Sequence, residues 1–204
     1  MKNIYYNSAV AKACGKNGII KAVLLNYIYN YHKLNIRKKP GDPAQISLAE
    51  FVYQYNVDEK KGLWQRSFIH KILKDLKKDD LLNIEYKNKA PVYSVPPRIT
   101  ELLTAEDSVT VSFDLEMAIE HGIYLAIVYR YLMYVIDKSP EGQAYNLSVK
   151  AMSEINRISP AQIYREIKRL KGKVILRVRS KIKYSTRALS LIRINSGREI
   201  HNAL

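Results

Sequence analysis

Two clusters of side chains carry most of the hydrogen-bonding chemistry in this sequence. The first is Gln65, Arg66, Ser67, His70, Lys71 and Lys74; the second is Ser159, Gln162, Tyr164, Arg165, Lys168 and Arg169. Gln and Arg present paired groups that match the edges of adenine and guanine, whereas Ser and His are shorter and more permissive. Further basic residues follow each cluster. After the first come Lys87 and Lys89, set against Glu85; after the second come Arg177, Arg179, Lys181, Lys183 and Arg187. From Arg165 to Arg193, eleven basic residues meet a single acid, Glu166. In LRVRSKIK the basic residues alternate with others, as a charged face of one strand requires. Base-edge donors followed by phosphate-seeking charge are what a nucleic-acid surface needs.

Both clusters must be held by helices. Ile69, Leu73 and Leu76 match Ile163, Ile167 and Leu170, spaced four and three apart as one buried helical face requires. Upstream, NGIIKAVLLNYIYNYHKL aligns without gaps on HGIYLAIVYRYLMYVIDK, pairing Gly18 with Gly122, Ala22 with Ala126 and Tyr27 with Tyr131; extended backwards, Ser8 meets Ser112. Ser47-Leu-Ala-Glu50 has capping-box spacing before a short helix, and Ser148 begins the comparable SVKAMSEI. Ser159-Pro160-Ala161-Gln162 is a further start signal. The second copy is shorter by three residues in its first loop and by seven in its second.

Strand-like sequence follows each third helix: LLNIEY and PVYSV around KNKA, with Pro91 opening an outer strand, then VILRVR and ALSLIRI around SKIKYSTR. Each half therefore reads helix, helix, helix, strand, turn, strand. That order is the winged-helix variant of helix-turn-helix, in which the third helix enters the major groove and the hairpin lies on the neighbouring backbone. The expected class is mainly α with small β-hairpin wings (α+β), in two tandem units. Pro96, Pro97 and the polar stretch Thr104 to Ser108 place a linker at 98–109 between domains 1–97 and 110–204.

Bulk properties agree with a folded chain and a polyanionic partner. Apolar residues are 47% of the 204 and charged residues 26%, which is globular composition. Thirty-four Lys and Arg against nineteen acids give a formal charge of +15, and basic groups docked on phosphates release counterions. The lone Cys14 rules out an internal disulfide and suggests a reducing, cytoplasmic location. No apolar run approaches the roughly 18 residues of a membrane span, and the amino terminus lacks a signal-peptide core. Neither a phosphate-binding loop nor a metal-binding histidine motif is present among His32, His70, His121 and His201, so no enzyme activity, metal or cofactor is expected. The helix-one tyrosines 27, 29, 31, 129, 131 and 134 are read as packing groups, and Trp64 as an anchor at the start of helix three.

The run FDLEMAIEHGIYLAIVYRYLMYVI resembles the opening helix of winged-helix domains in phage and mobile-element replication proteins. Their Leu-Ala-x-x-x-Gly-x-x-x-Ala series is approximated, with altered spacing, by Leu115, Ala118, Gly122 and Ala126. GLWQRSFIHKILKDLKKDDLL resembles the recognition helix of that family through Trp64, Ile69, Leu76 and Leu82, with Asp80 where Gly is usual. The two-domain plan is similar to that of plasmid initiators and replisome organisers. The resemblance implies sequence-specific duplex DNA binding in replication, with helicase or primase as further partners. A transcriptional repressor, a homodimer of this chain, or a winged-helix scaffold that binds protein would use the same elements.

Overall fold

The structure is a computed structural model that describes residues 3–38, 46–56, 62–87, 89–106, 108–137, 145–170, 179–181 and 188–191. The described part is mostly helical with small antiparallel sheets, and it divides into a unit covering Asn3–Val111 and another that begins at Ser112.

The first unit runs β1 (Asn3–Asn7), α1 (Ser8–Ala13), α2 (Gly18–Lys38), α3 (Leu48–Gln54), α4 (Arg66–Lys78), β2 (Asn83–Lys87), β3 (Ala90–Ser94) and α5 (Pro97–Thr104). Its core joins Leu24, Leu25 and Ile28 of α2, Phe51 of α3, and Ile69, Ile72, Leu73 and Leu76 of α4, all buried. Each such side chain contributes about 1.5–3 kcal/mol of transfer free energy. Tyr27 packs within 6.1 Å of Tyr31, Phe51 and Tyr55 ring to ring, as a packing role requires.

The second unit takes β4 (Thr110–Asp114), within which the boundary falls, then α6 (Leu115–His121), α7 (Ile123–Asp137), β5 (Tyr145–Ser148), α8 (Val149–Asn156), α9 (Pro160–Leu170), β6 (Arg179–Lys181) and β7 (Ala188–Leu191). The last three strands form one antiparallel sheet in the order β5-β7-β6. Val149, Met152, Ile163, Ile167 and Leu170 close the core of α8 and α9.

Several expectations are corrected. The opening helix of each half is two helices. In the second unit Gly122 breaks it at φ 97. Its N–H bonds to the Ala118 carbonyl, ending α6, and its own carbonyl accepts the Ala126 N–H at 3.1 Å, starting α7. In the first unit the break is Cys14–Asn17, with Gly15 and Asn17 both at positive φ. Gly18, the partner of Gly122 in the alignment, is needed for space, because a Cβ there would stand 2.1 Å from the Ala11 carbonyl oxygen. Ser8 is thus not the counterpart of Ser112. Asn7 and Asp114 correspond instead, each accepting the amide three residues on, at Val10 and Met117.

The stretch assigned to a linker holds α5. Pro97 stands in its first turn, Ile99 is buried, and the Leu102 carbonyl accepts from Asn7 Nδ2 at 3.0 Å. The polar residues after Thr104 masked an apolar helical series at Ile99, Leu102 and Leu103. Strands β1, β4 and β5 fall outside the two hairpins expected from the sequence.

Candidate nucleic-acid interface

Helix α4 separates apolar from polar residues by face. Ile69, Ile72, Leu73 and Leu76 point inward, while Gln65, Arg66, Ser67, His70, Lys71 and Lys74 are all exposed. None of those six side chains bonds to another described residue. Gln65 is the N-cap by backbone conformation, yet its side chain makes no capping bond and stays available. Trp64, just ahead of it, is half-buried with its ring centroid 4.8 Å from that of Tyr55, the anchoring role the sequence suggested.

The far end of α4 is fixed from three directions. Asp80 takes the left-handed conformation at φ 54, and the Asp80 and Leu81 amides bond back to the Lys77 and Leu76 carbonyls at 3.1 and 2.9 Å. This is the double bond of a Schellman cap, completed by Asp where Gly is favoured. Arg98 of α5 donates to the Asp79 and Asp80 carbonyls, satisfying acceptors the helix leaves open. Lys21 of α2, buried, places Nζ 2.6 Å from Asp79 Oδ2. That hydrogen bond and the lysine charge hold the Asp79 carboxyl below its ordinary pKa. Burial pushes the nearby Cys14 thiol up to about 11, partly offset by Lys21.

The first hairpin pairs Asn83↔Ser94 through Lys87↔Ala90, leaving two residues to close it. Lys87 and Lys89 are exposed at that closed end, and Lys89 has φ 65.

In the second unit α8 and α9 are joined by three residues, Arg157 at left-handed φ 55, buried Ile158, and Ser159. Ser159 Oγ accepts the Gln162 amide at 3.3 Å, as Ser148 Oγ accepts that of Ala151 at 3.2 Å. A three-residue connection is helix-turn-helix spacing. Between α3 and α4 the connection is longer and is pinched at its base by a bridge from Asn56 to Gly62.

The outward residues of α9 are not equally available. Glu166, buried at 3% exposure, accepts from Gln162 Nε2 and lies 2.7 Å from Arg169 Nη1. Arg169 also donates to the His121 carbonyl at 3.0 Å. Gln162 and Arg169 are thereby tied to the unit's own frame, leaving Arg165 and Lys168 exposed, Tyr164 half-buried and Ser159 at the cap. The sequence signal for this was present: Glu166 stands four residues after Gln162 and three before Arg169. Arg179 and Lys181 lie in β6; Arg177, Lys183 and Arg187 fall outside the described residues. Lys77 and Lys78, exposed on the last turn of α4, extend the first unit's basic surface.

Among the described residues no group of three or more His, Cys, Asp or Glu could hold a metal ion, and no helix is long and apolar enough to cross a membrane. No protein-family model, curated protein or solved structure matches this chain.

Proposed function

We propose that this chain binds double-stranded DNA sequence-specifically through two winged-helix units, with α4 as the principal reading helix. The observation that carries this is the exposed, unpartnered face of α4, where Gln65, Arg66 and His70 can meet base edges while Lys71 and Lys74 meet phosphates. The winged-helix assignment is supported by the order of helices and hairpin in each unit and by the three-residue turn between α8 and α9. Arg165 and Lys168 give the second unit a smaller surface of the same kind. Replication initiation is the role we assign, on the resemblance of the opening helices and of α4 to phage and plasmid replication proteins. Under it, the bound sites would be repeats at an origin, to which helicase or primase is recruited.

Selection of duplexes from a random pool by the full chain tests this. A recurring site should emerge, and Arg66→Ala should relax one position of it, costing about 1–3 kcal/mol there. Recovery of unrelated sequences would contradict base reading. A site found at a promoter instead of an origin would replace initiation with transcriptional control.

A further inference from the structure

Tyr86 is 71% exposed, one of the most exposed large side chains in the described residues, and it stands next to the closed end of the first hairpin. Cross-strand pairing sets Tyr86 opposite Pro91 and Ile84 opposite Tyr93. These four share one face of the ribbon because side chains alternate along each strand. Along that face burial falls steadily outward, from Tyr93 (6%) through half-buried Ile84 and Pro91 to Tyr86. The ring therefore overhangs the edge of the core instead of packing on it. Lys87, next in the strand and on the other face of the ribbon by the same alternation, and Lys89 in the turn are both exposed and without a described partner, and the only acid on the two strands, Glu85, lies inward of them. Lys89 also occupies a left-handed position in the two-residue turn, where Gly would be unstrained.

An exposed aromatic ring beside two free ammonium groups at the closed end of a hairpin suits a nucleotide whose base is not already stacked in a duplex. The ring offers a π-face that any base can stack upon, and the lysines suit the phosphates on either side. A paired base hides both faces in the helix, so this contact selects unpaired strand. We infer that the first hairpin holds an unpaired nucleotide on Tyr86, with Lys87 and Lys89 on its phosphates. The protein then engages the boundary between duplex and single strand. This rests on the duplex reading only for the position of the boundary, not for the stacking itself.

The test uses the full chain and two labelled DNAs sharing one duplex, one blunt and one carrying a tail of about ten unpaired thymidines, within the usual span of single-strand sites. Wild type should prefer the tailed DNA. Tyr86→Ala should remove about 5- to 100-fold of tailed affinity while leaving blunt affinity unchanged, and Tyr86→Phe should keep the preference, since stacking needs the ring only. Lys89→Gly, which relieves the backbone and so folds at least as well, should still weaken tailed binding. Equal binding of both DNAs by wild type, or a preference that survives Tyr86→Ala, overturns the inference. Binding of a free thymidine strand without any binding of blunt duplex would sink the duplex reading and leave this one standing.

Discussion

Lys21 on α2 and Asp79 at the end of α4 form an ion pair at 2.6 Å, with the lysine side chain 6% exposed and the aspartate 46%. The pair is a side-chain link that ties the carboxyl end of α4 to α2. A buried ammonium is tolerated only with a partner, so the two residues are unequal under substitution. Asp79→Ala should lower the melting temperature more than Lys21→Met, because only the former strands a charge. The pH dependence follows from the depressed Asp79 pKa. Its stabilising effect is complete above the ordinary value of 3.8 and is lost as pH falls through the lower folded value. Melting wild type and Asp79→Asn in parallel should show a gap at neutral pH that closes below about pH 3.8. A gap that stays constant to pH 2 would show that the charge of Asp79 is not what matters.

Asp80 closes α4 at φ 54. A left-handed residue with a Cβ costs about 1–2 kcal/mol, and glycine gives back about 0.5–1 kcal/mol of that through its greater unfolded freedom. Asp80→Gly should therefore stabilise the protein by roughly 0.5–1 kcal/mol in urea unfolding. Arg98 would be undisturbed, since it binds backbone carbonyls at this position. Destabilisation would mean that the Asp80 carboxylate has a role of its own.

Much of this arrangement is legible in the sequence, for definable reasons. The faces of α4 and α9 follow from apolar residues at Ile69, Leu73 and Leu76 and at Ile163, Ile167 and Leu170, because helical periodicity and burial are the same fact seen twice. The Ser caps at Ser47, Ser148 and Ser159 were also readable in the sequence. What escaped is what periodicity does not encode. Gly18 and Gly122 align, yet one answers to a backbone contact and the other to a positive φ, so the broken helices looked continuous. A polar helix face also looks the same whether its groups are free, as on α4, or committed, as Gln162 and Arg169 are to Glu166. Only the third dimension brings Arg169 to the His121 carbonyl, forty-eight residues away in the chain.

Glu166 is the hub of α9, and its removal should be felt in both stability and binding. Glu166→Ala would leave Gln162 without its acceptor and free Arg169, half-exposed, from its buried partner. Allowing for solvent screening of that arginine, a loss of about 1–3 kcal/mol is expected. If α9 contacts DNA, the same change should alter the affinity contribution of Arg165 in a double-mutant cycle. Stability within 0.5 kcal/mol of wild type, a margin typical of about any surface change, would place Glu166 outside the structural frame.

The most direct measurement is the salt dependence of duplex binding by the full chain. Seven exposed basic side chains lie on α4 and the first hairpin: Arg66, Lys71, Lys74, Lys77, Lys78, Lys87 and Lys89. If the six lysines meet phosphates, with Arg66 on a base edge, the logarithm of affinity should fall against the logarithm of salt with a slope of about −5.4 from this unit alone. Lys71→Ala with Lys74→Ala should flatten the slope by about 1.8. No binding at low salt, or a slope untouched by the double substitution, would contradict α4 as the DNA-reading helix.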